Sequence, residues 1–480
     1  MPFSKSESAP PKKLLGTRLL EAGHITPELL SEALSVQART GEKLGEVLVR
    51  MGAVDPSVLA GFLEEAPGAP EAPSKGLSYI YRAGAAESAP DYGVLQLKED
   101  GPGGVDGAPA VQALNELLLR AIEAQASDIH IEPSERRVRV RFRVDGLLHE
   151  EAFLPPAHGL GVVARLKVLA GMDIAEKRLP QDGRVRVRTG EQEIDLRVST
   201  MPTVHGEKAV LRLLPKTALA VWRVSDLGLS ESNLEKLLGA LSSPWGMILI
   251  AGPTGSGKTT TLYAALNELN RPQVNIVTVE DPVECVLEGV NQTQINPKAG
   301  VTFASALRSL LRQDPDVIMV GEIRDPETAA VAVRAAVTGH LVLSTVHTGD
   351  AASAVVRLLD MGVEPYLLAS SLLLVLSQRL VRRVCPQCSG AAAGEPAGVR
   401  GKGRGCPHCR HTGYRGRLGV HEALIVTPAL EQLIAQRPSA EAIREEAVRS
   451  GMVELWQDGL SKAGQGLTTE EELWRVLRGT

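Results

Sequence analysis

Met247-Ile248-Leu249-Ile250-Ala251 runs directly into Gly252-Pro253-Thr254-Gly255-Ser256-Gly257-Lys258-Thr259-Thr260, and Leu262 to Leu269 continues as a helical segment. Five apolar residues that stop at a glycine read as a buried strand, so the order is strand, glycine-rich turn, helix. The pattern G-x-x-x-x-G-K-T needs glycine because backbone amides must curl around phosphate oxygens without Cβ clashes. The following helix adds its positive N-terminal end. Gly252 through Thr260 are therefore the candidate phosphate cradle, with Lys258 assigned to the β and γ phosphates and Thr259 to Mg²⁺. A glycine-rich turn with no ligand is the plain alternative, and the flanking strand and helix weigh against it.

From about residue 218 onward, short apolar runs alternate with helices, as a parallel α/β sheet requires. The expected strands are Met247 to Ala251, Asn275 to Val279, Val317 to Val320 and Leu341 to Thr345. A triphosphatase also needs carboxylates at the C-terminal ends of neighbouring strands to hold the magnesium shell and orient water. Two stretches supply them: Glu280-Asp281-Pro282-Val283-Glu284, and Gly321-Glu322-Ile323-Arg324-Asp325, where Gly321 stands in place of the usual strand-end Asp. Glu280 and Glu322 are the catalytic candidates. His347 ends the fourth strand and is placed to sense the γ-phosphate.

The chain has 480 residues, enough for about three domains. A formal charge of -5 and 44% apolar residues exclude wholesale disorder and a globally basic nucleic-acid binder. The N-terminus has no signal-peptide core, and the longest apolar stretch, Tyr366 to Leu376, falls far short of the roughly 18 to 20 residues of a membrane span. A soluble cytoplasmic protein is expected. Residues 12–66 contain a repeat offset by 29 positions, pairing Leu15-Gly16 with Leu44-Gly45 and Leu30 with Leu59, and imply a small helical docking domain over residues 1–66 in which Thr26 caps a helix. Residues 67–106, rich in Pro, Gly, Ala and Ser, read as a flexible linker. Residues 107–217 read as an α+β domain: an amphipathic helix, then strands in which Val138, Val140, Phe142 and Val144 face one way and Arg137, Arg139, Arg141 and Arg143 the other. Residues 428–480 read as helical.

Cys385-Pro386-Gln387-Cys388 and Cys406-Pro407-His408-Cys409 lie 17 residues apart, a spacing suited to one four-thiolate Zn²⁺ site. Four thiolates leave no position open for water, so the zinc is expected to be structural. His408 and His411 are secondary candidates. The zinc module spans residues 384–412.

Taken in order, these blocks resemble the secretion-motor ATPases of type II secretion and type IV pilus assembly, of the GspE/PilB type. Glu280 to Glu284 resembles that family's Asp box, Val320 to Asp325 its atypical Walker B, and Gly339 to Thr348 its His box. Ala126-Ser127-Asp128-Ile129-His130-Ile131-Glu132-Pro133, Pro180-Gln181-Asp182-Gly183-Arg184 and Arg197-Val198-Ser199-Thr200 resemble signatures of its second N-terminal domain. The resemblance implies a PAS-like domain joined to a RecA-like P-loop motor spanning residues 218–480, assembled as a homo-hexamer. It implies that Arg184 and Arg197 close onto the nucleotide phosphates, and that the zinc module contacts an inner-membrane platform protein with help from Arg379, Arg382, Arg383, Arg410, Arg415 and Arg417.

The implied function is ATP hydrolysis that powers pseudopilus assembly for type II secretion, with pilus extension as the alternative, by a cytoplasmic protein held peripherally at the inner membrane through its partners. The N-terminal repeat resembles a docking domain that in some relatives binds cyclic di-GMP through paired Arg-Leu-Gly motifs. Here those positions read Leu14-Leu15-Gly16 and Lys43-Leu44-Gly45, and protein docking is the preferred role. Two readings from other classes are a RecA-like nucleic-acid translocase and a nucleotide-sensing scaffold without turnover. The 3% aromatic content and acidic balance disfavour the first, and no nucleic acid is expected.

Overall fold

Alternation of apolar and charged residues builds the first sheet, and short apolar runs build the centre of the second. The computed structural model describes residues 109–189, 192–215, 222–389 and 401–478, strand residues 94–97, and scattered positions between 22 and 54. The chain divides into two compact units, residues 1–87 and 88–480. In the first, Ile25, Ala33, Val47, Leu48 and Val54 are buried together, and Ile25 and Val54 are equivalent positions of the repeat. The Thr26 hydroxyl accepts from the Leu29 amide at 3.3 Å, as a helix cap should. The Arg-Leu-Gly-like positions other than Leu44, and residues 390–400 within the cysteine module, lie outside the described residues.

The second unit opens with β1 (Val94–Leu97), α1 (Pro109–Glu123), β2 (Asp128–Pro133), β3 (Val138–Val144), β4 (Leu147–Leu154), α2 (Pro156–Leu169), β5 (Gln181–Thr189), β6 (Gln192–Thr203) and β7 (Gly206–Pro215). These strands form a seven-stranded sheet in the order β1-β5-β6-β7-β2-β3-β4. Val138, Val140 and Phe142 turn inward onto Leu114, Leu118, Val162 and Leu166 of the two helices. The opposite face holds the arginines, which carry their own counter-ions: Glu132 bonds Arg141 at 2.8 Å and Lys208 at 2.9 Å. Burial works against ionisation of Glu132, yet these cations hold its carboxyl down at about 2. The expected linker reached residue 106, but Val94–Leu97 pair in parallel with β5 as an edge strand. Four residues between Pro- and Gly-rich flanks are too short to show alternation, and the partner strand supplies the ordering.

The second sheet comprises β8 (Gly246–Ala251), β9 (Ile276–Glu280), β10 (Val290–Gln294), β11 (Val317–Val320), β12 (Leu341–Val346), β13 (Leu372–Val384) and β14 (Tyr414–Ile425), in the order β10-β9-β11-β12-β8-β13-β14. All pairings are parallel except β13 with β14. Both faces are covered: Met247, Leu249 and Ala251 of β8 enter one core, and Ile248 and Ile250 the other. Helices from Pro428 to Leu473 follow, as expected.

Gly183 shows how tightly the first sheet is closed. A Cβ there would lie 2.4 Å from the Ala170 carbonyl oxygen and 2.9 Å from Ala170 Cβ. Gly183→Ala should therefore destabilise the chain by about 1 to 3 kcal/mol through overpacking and displace the adjacent Arg184. Urea unfolding followed by circular dichroism measures this, and an unchanged midpoint would contradict the packing described.

Candidate phosphate site and metal centre

β8 ends at Ala251 and its helix starts at Lys258, so Gly252 to Gly257 must reverse the chain within six residues. Three glycines take positive φ: Gly252 at 153°, Gly255 at 79° and Gly257 at 89°. A Cβ on Gly252 would sit 2.4 Å from Ser256 Oγ and 2.7 Å from the Gln378 carbonyl oxygen. Ser256 is buried and its Oγ has no hydrogen-bond partner among the described residues, while Thr254, Gly255 and Thr259 are exposed. A cradle too tight for side chains, with an orphaned hydroxyl, suits a polyanion with its metal at the loop surface. Lys258 Nζ donates to the carbonyls of Gly252 at 2.9 Å and Pro253 at 3.0 Å. Burial pushes its ammonium down to about 8; Glu322 opposes that shift and Arg379 adds to it.

The carboxylates lie at the same sheet edge in different settings. Glu280 is 3% exposed, and its carboxylate accepts from Tyr263 Oη at 2.5 Å, Thr278 Oγ1 at 2.6 Å and Gln292 Nε2 at 3.0 Å. Burial first, then Glu280, holds the Tyr263 phenol far above its ordinary range. Glu322, just past β11, forms an ion pair with Arg324 Nε at 2.6 Å and lies 3.3 Å from His347 Nε2. The structure thus brings Glu322 and His347 together; among the described residues no hydrogen bond or ion pair joins Glu280 to either. Gly321 has a local reason for its size, since a Cβ there would press 3.3 Å from the Val279 carbonyl oxygen.

Arg184 and Arg197 face each other directly across β5 and β6, and Arg197 faces Arg212 across β6 and β7. Adjacent like charges are unfavourable unless anions lie close by. Asp128 accepts from Arg212 Nε at 2.9 Å, and Arg197 Nη2 reaches Glu284 Oε2 of the second sheet's domain at 2.6 Å. Arg184 is exposed and has no acidic partner among the described residues. All three arginines line a cleft of about 480 Å³.

The four cysteine sulfurs lie within 4.8 Å of one another, and neither His408 nor His411 belongs to the cluster. Sγ to Sγ separations are 3.8 Å for Cys385 to Cys406, 3.8 Å for Cys388 to Cys409 and 3.7 Å for Cys406 to Cys409. A tetrahedron with Zn–S arms of about 2.3 Å has edges of about 3.8 Å, so these thiols fit zinc. The amides of Cys406 and Gly413 donate to Cys409 Sγ at 3.2 and 3.3 Å, which favours the thiolate. The basic cluster expected beside the module is largely engaged within the chain. Arg382 bonds Glu472 at 2.8 Å and lies 4.1 Å over the Tyr414 ring, Arg410 pairs with Glu151, and Arg379 donates to the Gly349 carbonyl. Arg415 donates to Gln125 and the His408 carbonyl, whereas Arg383 and Arg417 are exposed.

Sequence reading missed Tyr263, Gln292 and Gln378. Only Gln378 carries a visible signal, because Ser377-Gln378-Arg379 breaks the apolar run Leu372 to Leu376.

A parallel sheet with a glycine cradle at one strand end and acids at its neighbours defines a RecA-like P-loop ATPase. The chain belongs to the Type II/IV secretion system protein family, whose model matches residues 104–475. It is 49% identical to the type II secretion system ATPase E of Vibrio cholerae over 78% of this chain and 76% of that one. It is 47% identical to the type IV pilus assembly ATPase PilB of Thermus thermophilus, over 82% of this chain and 46% of that protein. Among solved structures it resembles the pilus retraction motor PilT with bound ADP, at 29% identity and a TM-score of 0.52 over 74% of this chain and 94% of that one. The Legionella pneumophila ATPase DotB shares the fold at 22% identity, with a TM-score of 0.61 over 81% of this chain and 100% of that one.

Two outcomes follow from the site. With the free Lys258 ammonium at about 8 and a triphosphate restoring it towards about 10.4, ATP affinity should hold below pH 8 and fall up to about tenfold per pH unit above it. Calorimetric titration from pH 7 to 9.5 should show proton uptake above pH 8, and a flat profile would contradict the buried lysine. Metal analysis should find one zinc per chain, lost in Cys406→Ser together with protease resistance at the two Cys-x-x-Cys turns. A zinc-free wild type that resists protease equally would contradict a metal-ordered module.

Proposed function

We propose that this chain is a cytoplasmic hexameric motor that hydrolyses ATP to drive pseudopilus assembly for type II secretion, engaging inner-membrane platform and docking proteins. The observation that carries this is the strand-end cradle of Gly252 to Thr260, with Glu322 and His347 at the adjoining strand ends. Relatives at 49% and 52% identity bear type II secretion names, which supports that assignment over pilus extension. The proposed division is a docking domain at 1–66, a linker at 67–106, a PAS-like domain at 107–217 and a motor at 218–480.

In this reading Lys258 leaves the loop carbonyls of Gly252 and Pro253 for the β and γ phosphates. Thr259 would hold Mg²⁺ together with the triphosphate, and the ion would supply charge neutralisation at the phosphates. Glu322 orients the attacking water, and His347 beside it registers the γ-phosphate. Supporting Glu322 over Glu280 is the latter's closed set of three donors, which suits a residue that shapes the loop at 281–284. Arg197 exchanges Glu284 for phosphate as the two sheets' domains close, and Arg184 joins it across the strand pair. Domain closure of this kind turns chemistry into displacement of the platform. Cys385, Cys388, Cys406 and Cys409 would hold a structural Zn²⁺ through their four thiolates, with no position left open for chemistry.

Glu322→Gln should lower kcat at least about a hundredfold while ATP affinity stays within about threefold, because only transition-state interactions are removed. Steady-state turnover with parallel nucleotide binding measures this, and turnover persisting in the variant would remove Glu322 from the role. Purification of the wild type from membranes, with mass spectrometry of bound platform proteins, separates secretion from pilus assembly.

A further inference from the structure

The register of the second sheet puts one polar dipeptide beside the cradle. Ser377 pairs with Ala251, the last residue of β8, so Gln378 follows opposite Gly252, where the loop begins. Gln378 is 2% exposed, in a strand whose first five residues, Leu372 to Leu376, are apolar. Its Nε2 donates to the Ser256 carbonyl at 2.6 Å and its Oε1 accepts from Thr261 Oγ1 at 2.8 Å. The Ser256 carbonyl can only accept, which fixes the amide's orientation. The amide nitrogen also packs against Gly257, where an added Cβ would lie 3.1 Å away.

We infer that Gln378 is the positioning residue that aims the Gly257 amide at the phosphates. In a trans peptide the carbonyl of one residue and the N–H of the next point in opposite directions. Holding the Ser256 carbonyl outward therefore turns the Gly257 N–H inward, into the turn that Lys258 and the helix N-terminus complete. Gly257, at φ 89°, has no side chain to fix that plane, so the restraint has to come from outside the loop. Arg379, the next residue, carries the same strand across the site: Nη2 donates to the Gly349 carbonyl at 2.7 Å, in the loop after His347. One dipeptide thus braces both the cradle and the loop that faces it.

The inference rests on Gly252 to Thr260 being the phosphate site, and the test separates the two. ATP binding and hydrolysis are measured on the full chain for the wild type, Gln378→Met, Gln378→Glu and Lys258→Ala. Methionine keeps the volume but loses the donor, so Gln378→Met should raise the ATP dissociation constant and KM by about tenfold or more, with a much smaller change in kcat. Gln378→Glu should be equally weak at pH 8 and recover towards wild type at pH 6, each compared at the same pH, because a protonated carboxyl regains a donor. A packing role predicts neither effect, and the pH comparison is internal to one protein, so a fixed folding defect cannot imitate it. Gln378→Met binding within twofold of wild type, or no recovery of Gln378→Glu at pH 6, would overturn the inference. Lys258→Ala binding ATP like wild type would instead overturn the phosphate site itself.

Discussion

The second sheet is arranged around a stretch of backbone whose amides must face one small volume while its carbonyls face away. Gly252, Gly255 and Gly257 accept positive φ to allow it, and a side chain at Gly252 would fill the turn. A parallel sheet suits this constraint, because it delivers the C-terminal ends of β9, β11, β12 and β8 to one edge. Glu280, Glu322 and His347 arrive there on successive strands, and β13 brings Gln378 and Arg379 to the loop's other flank.

The charges between the two sheets follow a second logic. A row of arginines on β5, β6 and β7 is unfavourable in isolation, and the chain places anions against most of it: Asp128 at Arg212 and Glu284 at Arg197. In the proposed motor, the Arg197 to Glu284 pair is the contact that a phosphate competes for. The cysteine module touches the same first sheet through Arg410 with Glu151, and the start of β14 does so through the Gly416 amide, which donates to Asp145 at 2.8 Å.

Residues whose role follows from backbone geometry were legible in the sequence. The glycine cradle, the four motor strands first identified, the Thr26 cap and the cysteine tetrad all depend on local spacing or on residues with a single dominant use. Less legible were features made by partners distant in sequence. Val94–Leu97 becomes a strand only because β5 lies beside it. Glu280 and Glu322 look alike as strand-end acids; they separate once Tyr263, Thr278 and Gln292 close around one of them and Arg324 and His347 approach the other. The basic residues near the zinc module read as one surface, yet Glu472, Glu151 and the Gly349 carbonyl take up Arg382, Arg410 and Arg379.

The central claim is that the backbone amides from Gly252 to Thr260 receive a triphosphate. Amide hydrogen exchange of that segment, resolved to single residues with and without MgATP, tests it most directly. The account predicts that the Gly255, Gly257 and Lys258 amides slow markedly when nucleotide is added, while the buried strand β8 changes little. Unchanged exchange across the loop at saturating nucleotide, with protection gained elsewhere, would contradict it.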